Sequence, residues 1–284
     1  MVEEKEAVIE HTGDSRRELV FEALDDVSHI RIVDALPQRI RYLYFEHSIQ
    51  GELYLDRVSD PVLEYIGLML EGMAYWKQDI HSMCMGGLGA AGLYHASRAR
   101  WGRDFQLDII ENDSRMVELA QNYFQFPKQE PVILNDFRAY CERTSQRYDS
   151  IFVDCYSSTS IPPHLMTTEF MQALKALLRP GGVISFNLWS AEANSIWREQ
   201  LKTIYTVFHS TALVQCPDDQ NLIVYASNAN LITPDAPFCW KGKHYPVRML
   251  KPAKKHFFHV ILNEVEVIRD HNLAALLEQH ALSM

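Results

Sequence analysis

The chain has 284 residues, of which 47% are hydrophobic and 23% are charged, a composition typical of a globular protein with one sizeable core and an appended piece. Its formal net charge of −10 argues against nucleic acid or an anionic membrane as a partner and is compatible with a cationic substrate. Its five cysteines form no Cys-x-x-Cys pair, so the sequence indicates neither a disulfide framework nor a zinc site.

Targeting and metal-binding patterns are also missing from the sequence. It contains no apolar run of the ~18 residues that cross a bilayer, and its start lacks the basic and apolar regions of a signal peptide. We therefore expect a cytoplasmic protein without a membrane partner. No cluster of histidine, cysteine and acidic residues has the spacing of metal ligands, so we expect no metal.

The N-terminal part of the chain predicts a small β-domain. Residues 1–26 are acidic and hold few large apolar side chains, so we expect a loose N-terminus. From His29 onward, β-type residues alternate with polar ones, and the pattern is interrupted at Gln50 and Gly51. This pattern predicts paired antiparallel strands over residues 27–58.

Residues 59–228 predict an α/β domain of the nucleotide-binding kind. A helix over residues 62–76, with Pro61 in its first turn, leads into a buried strand over residues 80–85. A glycine-rich turn, a helix and a second apolar strand over residues 105–110 follow. Such glycines allow a tight turn and the close approach of a ligand to a helix N-terminus. The glycines of this turn are Gly86, Gly87, Gly89 and Gly92.

Three successive predicted strands end on carboxylates. The second strand is followed by Glu111 and Asp113, the third by Asp136, and the fourth by Asp154. The carboxyl ends of parallel strands meet at one edge of the sheet, where ligands of such folds bind, and an acid after the second strand can hydrogen-bond both hydroxyls of a ribose. Each carboxylate alone would more often cap a helix. Three of them in phase with the glycine-rich turn predict a nucleoside site.

The remaining elements complete the predicted sheet. Residues 167–178 predict a helix, residues 182–189 a fifth strand, and residues 191–208 another helix. Two late strands joined at Asp218 and Asp219 predict an antiparallel edge. We expect a seven-stranded, mostly parallel, Rossmann-like sheet of the methyltransferase type, with helices on both faces. Residues 229–284 predict an appendage with a terminal helix that packs on the sheet or against a second subunit of a homodimer.

These motifs resemble those of the spermidine synthase (polyamine aminopropyltransferase) family, within the Rossmann-like S-adenosylmethionine-dependent enzymes. The similarity covers residues 40–228 and includes the run from Gln50 to Asp56 and the sequence Glu111-Asn-Asp113. Its most specific piece is IPPHLMTTEFMQALKALLRPGGVISFN, whose order of Pro, Leu, Thr, Glu-Phe and Pro-Gly-Gly resembles the bacterial spermidine synthase-like branch.

The resemblance implies a transferase that uses S-adenosylmethionine or its decarboxylated form to alkylate a small amine. Glu111 would hold the donor ribose, Asp136 would accept the adenine amino group, and Asp154 would be the catalytic aspartate. Tyr156 is expected to be a second catalytic residue, and the donor is expected to contact Asp154 together with Gln50, Gly87, Gly89 and Asp113.

Alkylation of an amine raises a proton problem that the candidate residues must solve. A free alkyl amine has a pKa near ~10 and is mostly protonated at neutral pH, whereas attack on a sulfonium needs its lone pair. Asp154 could take that proton or orient the amine, with His164 as an alternative base. The rings of Tyr65, Tyr156 and Trp189 could face the cationic centres, although core packing is the commoner role for each of these aromatics.

Two positions depart from the family pattern. The family turn is Gly-Gly-Gly-Asp-Gly-Gly, whereas residues 87–92 are GLGAAG, so Ala90 replaces an aspartate. The loop after Asp154 lacks a second aspartate and contains Ser157. Two alternatives to an aminopropyltransferase therefore stay open, because the fold alone does not decide function. They are an S-adenosylmethionine-dependent methyltransferase acting on a small nucleophile and a non-catalytic nucleoside-binding protein.

Overall fold

The computed structural model describes residues 9–12, 15–24, 28–156, 161–189, 194–216, 220–250 and 262–281. In these residues a five-stranded antiparallel sheet precedes an eight-stranded sheet that is rich in parallel pairs, and a separate two-stranded sheet follows. The predicted α/β fold class, with an antiparallel β-domain ahead of the main sheet, is confirmed.

The N-terminal sheet is built from strands that pair in chain order. Its strands are β1 (Ile9–Thr12), β2 (Ser15–Leu24), β3 (His29–Ala35), β4 (Ile40–Phe45) and β5 (Ser48–Tyr54). The expectation of a loose segment through residue 26 is wrong for its described part, since β1 and β2 belong to this sheet. Charged side chains in β2 do not prevent its backbone from pairing with β3, and Val20 and Phe21 supply apolar contacts.

The reversal between β4 and β5 also differs from the prediction. The turn lies at Glu46 and His47, where Glu46 has a left-handed φ of 52°, and Gln50 and Gly51 lie within β5. Gly51 is needed for a different reason, because a Cβ added to it would lie 2.5 Å from the Cβ of Ala90 in the glycine-rich turn. The N-terminal sheet therefore contacts the turn of the main domain directly.

The main sheet has the strand order β15-β11-β12-β10-β9-β6-β7-β8. Its five strands from β10 to β8 are parallel, and β12, β11 and β15 extend it by antiparallel pairing. Beyond β5 the strands are β6 (Ser82–Gly86), β7 (Gln106–Glu111), β8 (Ile133–Leu134), β9 (Tyr148–Val153), β10 (Leu178–Trp189), β11 (Ser210–Cys216), β12 (Asn221–Ser227), β13 (Phe238–Trp240), β14 (Lys243–Tyr245) and β15 (Arg248–Leu250).

Helices cover both faces of this sheet, as predicted. On one face α1 and α2 pack in one core cluster, and on the other α4 to α7 pack in a second. The helices are α1 (Glu64–Trp76), α2 (Gly92–Trp101), α3 (Ser114–Tyr123), α4 (Phe137–Arg143), α5 (Thr168–Ala176), α6 (Trp197–Val207) and α7 (Leu273–Ala281), with a short 3-10 helix at Pro163–Leu165. Since α1 begins at Glu64, Pro61 precedes it instead of occupying its first turn.

The segment after residue 228 is more closely joined to the sheet than the sequence predicted. Residues 59–228 supply the seven expected strands, but β15 adds an eighth by pairing with β11. The hairpin of β13 and β14 lies on α1, where the ring of Trp240 occupies the space that a side chain at Gly67 would need. The predicted turn at Asp218 and Asp219 lies outside the described residues.

The long helix predicted over residues 191–208 is shorter in the structure, where α6 runs over Trp197–Val207. The predicted terminal helix is present as α7, and its Leu276 is buried in the core cluster of α4 to α6. Among the described residues, no helix is long and apolar enough to cross a membrane.

Candidate active site

A cavity of about 630 Å³ lies at the carboxyl ends of the parallel strands, between the main sheet and β5 of the N-terminal sheet. Its volume falls within the range of small-molecule and cofactor sites. The structure brings every predicted site residue to its lining: Gln50, Gly87, Gly89, Glu111, Asp113, Asp136, Asp154 and Tyr156.

The glycine-rich turn passes directly over the end of β9. Gly87 has φ 91°, and a Cβ there would lie 2.3 Å from the carbonyl oxygen of Asp154. Gly89 has φ 51° and lies against the carbonyl oxygen of Gln50 in β5. A side chain at Gly87 would collide with the backbone of Asp154, whereas one at Gly89 would be disfavoured by the left-handed φ alone. The turn leads to the N-terminus of α2 at the cavity wall.

Glu111, at the end of β7, holds this turn by accepting hydrogen bonds from the backbone. Its Oε2 accepts a hydrogen bond from Leu88 N (3.0 Å), and its Oε1 accepts from Asn112 N (2.9 Å) and Asp113 N (3.0 Å). The side chain is buried, and burial raises the pKa of Glu111 against the lowering effect of these three bonds. Because an ionised carboxylate has about four acceptor positions, roughly one remains for a ligand donor.

Asp113 serves mainly as a helix cap. Its Oδ1 accepts from Arg115 N (2.9 Å) at the start of α3, and its Oδ2 is 2.7 Å from Arg115 Nη2. The same guanidinium donates to Ser28 Oγ, next to the N-terminal sheet (3.0 Å). Although Asp113 lines the cavity, its carboxylate is largely engaged within the protein.

Asp136 follows β8 and caps α4. Its Oδ1 accepts from Ala139 N (2.9 Å), and its Oδ2 lies 2.8 Å from His164 Nε2. Burial acts to raise the pKa of Asp136, but the bonds from Ala139 and His164 outweigh it, and the pKa is lowered. His164, considered as an alternative base, therefore contacts Asp136 and not Asp154.

Asp154 follows β9, and two neutral side chains hold its carboxylate. Oδ1 accepts from Asn187 Nδ2 (2.8 Å), and Oδ2 accepts from the Tyr65 hydroxyl (3.1 Å). Burial raises the pKa of Asp154, while the hydrogen bonds from Asn187 and Tyr65 act to lower it. Each oxygen keeps acceptor capacity for a further donor such as an amine.

Behind Asp154 lies a polar network that sequence reasoning missed. Asn187 Oδ1 accepts from Asn221 Nδ2 (2.6 Å), and the Asn187 carbonyl accepts from the Tyr156 hydroxyl (2.8 Å). Both asparagines are 4% exposed, at positions in β10 and β12. Their signal in the sequence is a polar residue inside an apolar strand, which must find a buried partner.

Tyr156 is an aromatic wall of the cavity. Its ring stacks on Trp189, with centroids 5.0 Å apart and planes 20° apart. Burial raises the pKa of Tyr156 well above its usual range, and its hydroxyl proton is donated to the Asn187 carbonyl. These contacts favour ring packing against a ligand over proton transfer by this tyrosine.

Of the two positions that depart from the family pattern, the structure describes Ala90 but not Ser157. Ala90 lines the cavity and is 3% exposed, with its methyl group against Gly51. Ser157 lies outside the described residues. At Ala90, the cavity wall is therefore apolar and closely packed.

Parts of the chain are similar in sequence to known proteins. Residues 104–217 match the family model described as the spermine/spermidine synthase domain. Over 144 residues the chain is 31% identical to a probable polyamine aminopropyl transferase of Bifidobacterium longum, covering 49% of this chain and 32% of that protein. Over 255 residues it is 23% identical to an N-terminal histidine N-methyltransferase of Emericella nidulans, covering 81% and 43%. Each alignment thus spans less than half of the curated relative.

Among solved structures, the fold is similar to that of a probable spermidine synthase from Corynebacterium glutamicum. The TM-score is 0.70 at 16% sequence identity, and the match covers 88% of this chain and 96% of that one. At this identity the likeness concerns the fold alone.

Proposed function

We propose that this protein, which is spermidine synthase-like in sequence and fold, is a transferase that moves an alkyl group from an S-adenosyl donor to an amine. The observation that carries the proposal is the Asp154 carboxylate. It is held by two neutral donors in the cavity that also contains Glu111 and the glycine-rich turn. Donor-binding groups and a proton acceptor therefore line one space.

The donor side of the cavity suits an adenosyl group. The remaining acceptor position of Glu111 fits a ribose hydroxyl, and Gly87 and Gly89 of the turn line the same cavity. Asp136 has a lowered pKa, so it stays ionised at neutral pH and can accept a hydrogen bond from the adenine amino group.

The acceptor side suits a displacement at the carbon next to the sulfonium. The amine nitrogen donates its lone pair to that carbon, the carbon–sulfur bond breaks with its electrons going to sulfur, and a neutral thioether leaves. Asp154 accepts the proton that the amine loses. The stacked rings of Tyr156 and Trp189 offer a face to a cation, a contact worth on the order of 1 kcal/mol when desolvated.

A methyltransferase that uses S-adenosylmethionine is the second candidate. The observation that favours it is Ala90, because an apolar residue there places no carboxylate where it would repel the carboxylate of an intact S-adenosylmethionine. The identity of one curated relative as a histidine N-methyltransferase points in the same direction.

Calorimetric titration with S-adenosylmethionine and with its decarboxylated form distinguishes the two candidates. Mass analysis of monoamines and diamines incubated with protein and each donor then identifies the group transferred. An aminopropyl gain with the decarboxylated donor supports the first candidate, and a methyl gain with the intact donor supports the second. Tight donor binding without transfer to any amine would favour a non-catalytic nucleoside-binding protein.

Asp154→Asn tests the catalytic role directly. The amide can accept from Asn187 through its oxygen and donate to the Tyr65 oxygen, so we expect the fold to be retained. We predict donor affinity within about threefold of wild type and turnover lower by ~10² or more, the usual loss when a general base is removed. Single-turnover assays and calorimetry measure the two effects, and near-normal turnover would exclude Asp154 from the mechanism.

A further inference from the structure

The C-terminal segment, residues 262–281, is fixed to the helices behind the donor cavity. The backbone of Ile268 bridges two of them: its carbonyl accepts from Thr168 N (2.9 Å), and its N–H donates to Thr203 Oγ1 (2.9 Å). Ile268 and Leu276 are buried in the core cluster that contains Leu165. The segment therefore packs directly against the start of α5.

Arg138, on α4, connects this segment to the cavity. Its guanidinium binds both oxygens of Asp270, with Nη1 to Oδ1 at 2.8 Å and Nη2 to Oδ2 at 2.6 Å. Nη1 also donates to the His164 carbonyl (3.1 Å) and to Thr167 Oγ1 (3.3 Å), and Nε donates to Glu142 (2.7 Å). Arg138 thus holds the C-terminal segment and the turn around residue 164 together.

The turn held by Arg138 forms part of the cavity wall. Pro162 and Leu165 line the cavity on either side of His164, and the His164 imidazole contacts the Asp136 carboxylate at 2.8 Å. Asp136 lies two residues before Arg138 on the same chain segment. Arg138 is therefore linked to both residues of the His164–Asp136 contact, to His164 through its guanidinium and to Asp136 through the backbone at the start of α4.

We propose that Arg138 is a positioning residue for the adenosyl donor, and that its pairing with Asp270 makes donor affinity depend on the C-terminal segment. The inference rests on the proposed function, because it concerns the Asp136 end of that same cavity. The inference goes beyond the proposed function by assigning residues 262–281 a role in ligand binding.

The geometry of the pair supports this role over that of an ordinary surface ion pair. The Arg138 side chain is 18% exposed and donates to five acceptor atoms on four residues, which fixes its geometry although Asp270 itself is 45% exposed, whereas pairs with both partners exposed contribute little. The hydrogen bonds from Arg138 lower the pKa of Asp270, so the pair is charged at neutral pH. Lysine carries a point charge and cannot reproduce this fork.

The test compares Asp270→Asn and Arg138→Lys with Glu71→Gln, which breaks the Arg100–Glu71 ion pair on the surface of α1 and α2. The probe is S-adenosylhomocysteine, titrated by calorimetry. We expect Asp270→Asn and Arg138→Lys to bind it at least about threefold more weakly, with turnover at saturating donor unchanged, and Glu71→Gln to bind it normally. Asp270→Glu keeps the carboxylate and should recover part of the loss.

Hydrogen exchange of the ligand-free protein separates this inference from the proposed function. Asp270→Asn should raise exchange in peptides covering residues 161–168, and Glu71→Gln should not. If wild type binds the probe and Asp270→Asn binds it equally well, the inference is overturned while the proposed function stands. If wild type binds no adenosyl compound, the proposed function fails together with the assigned ligand. Unchanged hydrogen exchange in Asp270→Asn would show that the Arg138–Asp270 pair does not hold the turn around residue 164 in place, and would overturn the inference.

Discussion

The Glu111 carboxylate accepts three backbone hydrogen bonds before any ligand binds, so it shapes the glycine-rich turn as well as offering an acceptor to a ribose. Glu111→Gln keeps the size of the side chain but turns an NH₂ group towards a backbone N–H. We predict that S-adenosylhomocysteine binding weakens by roughly tenfold or more, because a charge-assisted acceptor is lost. Calorimetry measures this, with Glu118→Gln on the exposed side of α3 as the control. Unchanged affinity would remove Glu111 from the donor site.

Tyr65 gives a second prediction at the scale of single residues, through the pKa of Asp154. Burial raises that pKa, and the Tyr65 hydroxyl bond acts to lower it, so Tyr65→Phe should raise it further. The proposed reaction needs the carboxylate form, and its rate therefore falls as the pH drops through this pKa.

The acid limb of the pH profile should accordingly move to higher pH in Tyr65→Phe. The measurement is turnover at saturating donor and amine across the acid range, since saturation removes the protonation of free amine from the profile. Tyr75→Phe, on the same helix and 41% exposed, is the matched control. An acid limb that stays in place in Tyr65→Phe would assign it to a group other than Asp154.

At the scale of elements, short stretches of sequence predicted the strands, turns and helices that are determined by interactions within those stretches. The strand, glycine-rich turn and helix around Gly87, and the carboxylates that follow β7, β8 and β9, were predicted from the chain and lie together in the cavity. The predicted family resemblance and fold class are confirmed. Periodicity and turn residues carry this information within a few residues of each position.

Elements that depend on distant partners were not predicted. The charged strand β2 is stabilised by pairing with β3, and the three residues of β15 are stabilised by pairing with β11. Neither pairing produces a clear pattern in the sequence of the strand itself. For the same reason Asn187 and Asn221 were missed. They are 34 residues apart in the chain and hydrogen-bond across neighbouring strands.

The packing of the β13–β14 hairpin on α1 gives a prediction at this scale. Gly→Ala in a helix usually stabilises, but a Cβ at Gly67 would lie 2.2 Å from the Trp240 ring. We predict that Gly67→Ala lowers the free energy of unfolding by about 1–3 kcal/mol, the usual cost of overpacking. In the Trp240→Ala background the same change should be neutral or stabilising. Denaturant unfolding of the four proteins measures this coupling, and a stabilising single Gly67→Ala would contradict the docking of the hairpin.

At the scale of the whole molecule, the cavity depends on how the two sheets meet. Buried residues of the N-terminal sheet pack on Ala90 and on α3, and Arg41 of β4 donates to the Tyr123 carbonyl at the end of α3 (2.8 Å). Gln50 and Gly51 contact the glycine-rich turn where both segments line the cavity, so a change in the spacing between β5 and the turn changes the donor site without altering a donor contact.

Moving a methyl group from Ala90 of the glycine-rich turn to Gly51 of β5 tests how far the cavity depends on this contact. Gly51→Ala places a Cβ 2.5 Å from that of Ala90, which forces β5 away from the turn, so we predict weaker S-adenosylhomocysteine binding and a lower unfolding temperature. Adding Ala90→Gly removes the collision, because the nearest remaining atom is the backbone nitrogen at 3.1 Å, and should restore part of both losses. Calorimetry and thermal unfolding measure the single and double variants. Arg39→Gln, which breaks an exposed ion pair with Asp56 next to the same sheet, is the control. If the double variant binds no better than Gly51→Ala alone, the contact between the sheets does not set the width of the cavity.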